Sequence, residues 1–103
     1  MNKAKVYVNG IYAGLLEELH KYKEYRLTYD NSYQGNPVSL TMPVRIEPYT
    51  FDRFPPFFEG LLPEGIQLDS LLRQRKIDKD DLFRQLITVG RDMVGAVTVE
   101  EAE

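Results

Sequence analysis

KVYVNGIYAGLL, residues Lys5 to Leu16, is the stretch on which the fold class turns. Val6 and Val8 alternate with Lys5, Tyr7 and Asn9, the period of two that sends successive side chains to opposite faces of a strand. Asn9-Gly10 follows at once, and both residues tolerate the positive φ of a type I′ hairpin turn. The return strand is expected from Ile11 to Glu17, with Gly14 inside it marking a bulge or a close contact.

Beyond the hairpin, Glu17 to Lys23 reads as a charged connection. Tyr25, Leu27 and Tyr29 alternate with Glu24, Arg26 and Thr28 as a third strand, and Asp30 to Pro37 (DNSYQGNP) is turn chemistry throughout. Val38, Leu40 and Met42 alternate with Ser39 and Thr41 as a fourth strand, which Pro43 closes because it cannot donate to a ladder. Between Pro43 and Pro63 lie five prolines and five aromatics, Tyr49, Phe51, Phe54, Phe57 and Phe58. That mixture prevents long regular elements yet is too apolar for a solvated linker. It predicts an ordered loop packed on the domain, with one helical turn near Phe57 to Leu61.

The last third is helical. Pro63 suits the first turn of a helix, and Leu68, Leu71 and Leu72 share one face of it. Asp78 is the expected N-cap of a second helix with Asp81 in its first turn, and Leu82, Phe83, Leu86 and Ile87 form its apolar stripe. Gly90 stands where a left-handed C-terminal residue is expected. Ala96 to Val99 (AVTV) reads as a closing strand before an acidic tail at about residues 100–103. The expectation is one α+β domain over residues 1–103: an antiparallel sheet of about five strands, two main α-helices and an aromatic, proline-rich ordered loop.

Composition narrows the function. The chain has 103 residues, enough for one core, with no apolar run long enough for a membrane span and no secretory signal pattern. The absence of cysteine removes disulfides, thiolate zinc sites and cysteine nucleophiles, and a cytoplasmic location is expected. Thirteen Lys and Arg face sixteen Asp and Glu, a net charge of −3 that argues against direct nucleic-acid binding.

Catalytic equipment is missing. His20, the sole histidine, lies in the polar segment EELHKYKE and reads as a solvated surface residue. A catalytic triad or a metal site needs partners for it that the sequence does not provide. Asp78, Asp80 and Asp81 lack the alternate spacing and distal Glu of a calcium loop, so helix capping is the better account of them. Gly60, Gly65, Gly90 and Gly95 are too far apart for a phosphate-binding loop. Neither a metal, a cofactor nor an enzymatic activity is expected.

Two features suggest binding surface. The first is RFPPFFEGLLPEGI, from Arg53 onward, in which Phe57, Phe58, Glu59, Leu61, Leu62, Pro63, Glu64, Gly65 and Ile66 are the candidate partner-binding residues. Proline-stiffened aromatic loops lose little entropy on docking. Phe57, Phe58, Leu61 and Leu62 also read as cover for the sheet, since a small domain needs that core volume, whereas Glu64-Gly65-Ile66 reads as an exposed tip. The second is Arg73, Arg75 and Lys76 at the end of the first helix. Their complement to the helix dipole is a sufficient structural reason, and a phosphate or acidic partner is the functional alternative.

PFFEGLLPEG (Pro56 to Gly65), the helix pair ending in VGRDMVGAVTV (Val89 to Val99), and the leading KVYVNGIYAGLL together resemble the N-terminal subdomain of HipA-type serine/threonine kinase toxins, over nearly the whole chain and in the right order. The family's kinase machinery lies downstream of that subdomain, and none of it is present here. The expectation is that the chain ends a few residues past its last strand, as a finished domain would, the alternative being a fragment cut from a full-length kinase. The resemblance implies a free-standing, HipS-like antitoxin of a HipBST-type toxin–antitoxin system, which binds and restrains a HipT-like kinase. A HipB-like DNA-binding protein is the third member, and the alternative role is an assembly module joining the kinase to that repressor. It further implies a bulky aromatic, often Trp, directly after the glycine of the PEG turn, where this chain has Ile66.

Overall fold

A computed structural model describes residues 2–92 and 95–102; Met93 and Val94 of the VGRDMVGAVTV stretch, and Glu103 of the acidic end, lie outside the described residues. The elements in order are β1 (Asn2–Val8), β2 (Ile11–His20), β3 (Glu24–Tyr29), β4 (Tyr49–Phe51), α1 (Pro56–Glu59), α2 (Gly65–Arg75), α3 (Leu82–Val89), a 3-10 turn (Gly90–Asp92) and β5 (Val97–Ala102). The strands form one antiparallel sheet in the order β4-β3-β2-β1-β5. After the helices the chain therefore returns to pair with its own first strand.

The first hairpin follows its sequence pattern. Asn9 and Gly10 take φ of 52° and 81°. Val6 pairs with Gly14 but Tyr7 pairs with Tyr12, so Ala13 is the extra residue of a bulge. Gly14 meets both expectations made of it, because it lies beside this bulge and a β-carbon there would fall 2.4 Å from the Thr28 carbonyl oxygen.

Glu17 and Glu18 are not a connection. Both continue β2 and are buried, because each carboxylate has partners. Arg26 Nε donates to Glu17 Oε1 at 3.1 Å, while Asn2 Nδ2 and the Tyr25 hydroxyl donate to the two oxygens of Glu18 at 2.9 and 3.0 Å.

The expected fourth strand at Val38 to Met42 is a compact loop with a single bridge between Ser39 and Met42. The Tyr29 hydroxyl donates to the Met42 carbonyl at 2.6 Å and accepts from the Val38 amide at 2.8 Å, and so takes over the backbone groups a ladder would have used. The strand beside β3 is instead Tyr49–Phe51, inside the stretch expected to be irregular.

One face of the sheet carries the core. Ala4, Val6, Leu16, Leu27 and Val99 meet Phe58 from α1 and Phe83 and Leu86 from α3. At about 25 cal/mol per Å² of apolar surface, each Val, Leu or Phe among them contributes about 1.5–3 kcal/mol. Gln85 is also buried in α3, and its side-chain amide donates to the carbonyls of Asp78 and Lys79.

The helix ends differ from expectation in three places. Asp81, not Asp78, is the N-cap of α3 and accepts from the Arg84 amide at 3.1 Å; Asp78 closes the preceding turn by accepting from the Asp80 amide at 3.0 Å. Pro63 lies outside α2, because the chain enters that helix through an extended Glu64 and a left-handed Gly65. Gly90 is right-handed and runs on into the 3-10 turn, its missing side chain making room for Val99 rather than for a left-handed cap. Glu100 and Glu101, expected in a tail, extend β5 opposite Lys5 and Ala4.

Candidate functional site

Among the described residues no group of three or more His, Asp or Glu is placed to hold a metal ion, and no helix is long and apolar enough to cross a membrane. His20 is exposed at the end of β2, with Nε2 3.4 Å from Glu24 Oε1. Asp78 and Asp81 are occupied by turn and cap bonds. Of the three aspartates read as capping residues, Asp81 caps α3 and Asp78 closes the preceding turn, while Asp80 enters that turn only through its backbone amide.

The segment 54–66 is built on a proline-set turn. Pro56 opens α1, where a missing N–H costs nothing. Phe58 is fully buried and meets Phe57 edge-on, with ring centroids 5.3 Å apart. The Leu61 amide bonds to the Phe58 carbonyl and the Leu62 amide to the Glu59 carbonyl, which tightens the exit from the helix. Phe57, Leu61 and Leu62 are half-buried against the core. The sheet-covering reading thus describes the first half of the segment.

The second half leaves the body of the domain. Pro63 is half-buried, and Glu64, Gly65 and Ile66 are exposed. Gly65, the first residue of α2, has φ +61°, which a side chain would strain, and it turns the chain so that Ile66 stands in the first turn of the helix in solvent. Ile66 is 84% exposed. Glu59, also exposed, borders a cleft of about 400 Å³ that Tyr22, Tyr25, Arg53 and Phe54 help to line. The nine candidate residues are therefore contiguous in the chain but divided in environment: an apolar base set into the domain and a projecting tip.

α2 itself buries none of its residues. Leu68, Leu71 and Leu72 lie half-buried on one face, as their spacing predicts. Arg73, Arg75 and Lys76 are exposed, and the chain leaves the helix through a left-handed Lys76 whose amide bonds to the Leu72 carbonyl.

Sequence reasoning missed a second set of exposed apolar residues. Leu40 is 93% and Ile46 is 80% exposed on the loop between β3 and β4. Alternation at 38–42 placed Leu40 in a strand, and nothing local marked the tyrosine clamp that holds the loop instead.

The family described as HipA N-terminal domain matches residues 4–100. A protein of Haemophilus influenzae (strain Rd), described as an uncharacterized protein, is 36% identical over 101 residues, which are 98% of this chain and 93% of that one. A solved structure described as the N-terminal domain of HipA toxin superposes with a TM-score of 0.77 at 31% identity, covering 100% of this chain and 94% of the other.

Proposed function

This chain belongs to the HipA N-terminal domain family, and from that premise we propose that it is a non-catalytic antitoxin, acting in the cytoplasm by direct contact with a HipT-like serine/threonine kinase toxin. The observation that carries this reading is the exposed Ile66, held at the end of the Pro63-Glu64-Gly65 turn on a domain of the family that carries no phosphate-binding loop. A tip preceded by proline and continued at once by α2 has already lost much of the freedom that binding would otherwise cost. An aliphatic side chain in water at that tip gains from any apolar pocket it enters.

The mechanism is one of selection. A domain supplied in trans that binds one arrangement of the kinase more tightly than the others shifts the population toward it, and if that arrangement is inactive the kinase is restrained. The candidate contacts run from Phe57 to Ile66, with Glu59, Glu64 and Ile66 reaching solvent and the half-buried residues supporting them.

Size-exclusion chromatography of this chain with the kinase encoded beside it, followed by a phosphoryl-transfer assay on the complex, tests the reading. Co-elution with lost activity is expected. Co-elution with full activity would replace inhibition by assembly, in which the chain joins the kinase to a HipB-like DNA-binding protein. Separate elution would remove both roles.

A further inference from the structure

The first backbone bond of α2, from the Leu68 amide to the Glu64 carbonyl, is stretched to 3.5 Å, and no side chain caps that end of the helix. α3 begins differently. Its Gln85 amide reaches the Asp81 carbonyl at 3.1 Å, and the Asp81 carboxylate accepts from the Arg84 amide. The first-turn amides of α2 therefore depend on water, and Ile66 stands among them.

Tertiary support for α2 is as thin. α1 buries Phe58 and α3 buries Phe83, Gln85 and Leu86, whereas α2 buries no residue. Among the described residues, the half-buried apolar side chains packed on the core include Leu61, Leu62, Leu82 and Ile87 but none from α2. Leu68, Leu71 and Leu72 thus do not join the helix to the core. Eleven residues are also too few for a helix to be stable in water on its own. The segment is held at its two ends, by Leu62 against the core before it and by the buried Ile77 after it.

We infer that α2 opens and closes independently of the rest of the domain, and that the fraction of chains in which it is formed sets how many present Ile66 to a partner. Local opening occurs where scarce apolar contacts coincide with solvent-exposed backbone bonds, and the two coincide here. The formed helix fixes the backbone of Ile66; in the opened segment that side chain has no set direction. A partner that needs the formed helix binds with an apparent affinity reduced by the fraction formed, so the stability of α2 controls binding while the fold stays intact. The link to binding rests on the proposed function, in which the partner is the kinase; the independent opening does not.

Native-state hydrogen exchange of the full chain, read by NMR, measures the opening. Amides from Asp69 to Arg75 are expected to be protected about a hundredfold less, or weaker still, than those of β1 and of Leu86 to Val89 in α3. Equal protection would mean that α2 opens only with the whole domain, and overturns the inference. Ser70, exposed in the middle of α2 and outside the candidate contacts, takes the substitutions. Ser70→Pro breaks the helix, yet its melting temperature is expected to stay within about 5 °C of wild type. A larger fall, or an unfolded variant, would place α2 in the cooperative fold and overturn the inference. The milder Ser70→Gly should lower protection in α2 about twofold and leave α3 unchanged, and an equal fall in both would count against independent opening. In a phosphoryl-transfer assay Ser70→Pro is expected to weaken inhibition of the kinase about tenfold or more, although every residue from Phe57 to Ile66 is kept. Full inhibition by folded Ser70→Pro overturns the control on binding and leaves the proposed function standing. Absence of inhibition by wild type overturns the proposed function and the link to it, and the exchange rates alone then decide whether α2 opens by itself.

Discussion

A β-carbon on Gly90 would fall 2.2 Å from the Val99 carbonyl oxygen, so the turn after α3 touches the edge strand β5 through bare backbone. With φ at −58° the conformation suits any residue, and space alone demands glycine. The neighbour is backbone and cannot yield without parting the turn from β5. Gly90→Ala is therefore expected to cost about 2–3 kcal/mol, as overpacked sites do. In a thermal melt that is a fall of about 10 °C or more, and a shift under about 2 °C would show that the turn moves aside freely.

The Tyr29 hydroxyl holds both ends of the loop at 38–42, donating to the Met42 carbonyl at 2.6 Å and accepting from the Val38 amide at 2.8 Å. Tyr29→Phe keeps the ring but leaves two backbone groups without their partner. A loss of about 2 kcal/mol is expected, with faster hydrogen exchange at the Val38 amide. Unchanged exchange there would mean that other contacts hold the loop.

That clamp also shows what was legible in the sequence. β1, β3, β2 as far as Glu17 and the apolar stripe of α3 were each readable from their own stretch, whereas the end of β2 and the cap of α3 were not. Val38 to Met42 has the period of a strand too, but period says nothing about which backbone groups are free to pair, and a tyrosine nine residues before Val38 had taken them. Tyr49–Phe51 is too short to show a period, and it is a strand only because β3 lies beside it. The acids at 100 and 101 looked like a solvated tail because their pairing partners, Lys5 and Ala4, are almost a chain length away. At the candidate site, the acid, the glycine and the lone aliphatic of Glu64-Gly65-Ile66 marked an exposed tip, since each acts locally. The division of Phe57, Phe58, Leu61 and Leu62 between full and partial burial depended on the packing of α3 and the sheet, which no local pattern carries.

Alkaline pH should weaken the fold through its tyrosines. Burial, then the hydrogen bond to Glu18 and that group's negative charge, push the Tyr25 phenol well above its ordinary pKa of 10.0. Tyr29 and Tyr33 are pushed the same way, chiefly by burial. The folded chain thus holds these protons more tightly than the unfolded chain, so their contribution is whole below the unfolded pKa of about 10 and is lost as pH rises above it. Urea unfolding at a series of pH values is expected to show stability falling between about pH 10 and 12, with a shallower fall in Tyr25→Phe. Parallel slopes in the two proteins would refute the assignment to Tyr25.

Asp81 caps α3 through the Arg84 amide and also lies 3.7 Å from Lys21 Nζ on the turn between β2 and β3. Asp81→Ala removes both contacts and is expected to cost about 1 kcal/mol, mostly through the cap, since the ion pair is half-exposed and weak. Asp78→Ala loses only a turn bond to the Asp80 amide and should cost less. Chemical denaturation of the two variants decides the order. If Asp78→Ala proves the more damaging, the helix is capped one turn earlier in solution than in this structure.

Ile66 separates stability from binding more cleanly than any other candidate residue. It is 84% exposed, so Ile66→Ala opens no cavity and should change stability by no more than about 0.5 kcal/mol. Phe58→Ala, by contrast, empties a fully buried site at a cost of about 3–5 kcal/mol, and lost inhibition there would report unfolding as much as contact. On the proposed function Ile66→Ala is expected to weaken kinase inhibition about tenfold or more, the scale of a central interface residue. Ile66→Trp supplies more apolar area and an indole N–H at the same exposed position, and should hold or strengthen inhibition. Titrating each variant into a phosphoryl-transfer assay, with melts to confirm folding, gives the result directly. Full inhibition by folded Ile66→Ala would move the inhibitory contact off the tip and onto the apolar base at Phe57, Leu61 and Leu62, whose half-burial leaves part of each side chain free to meet a partner.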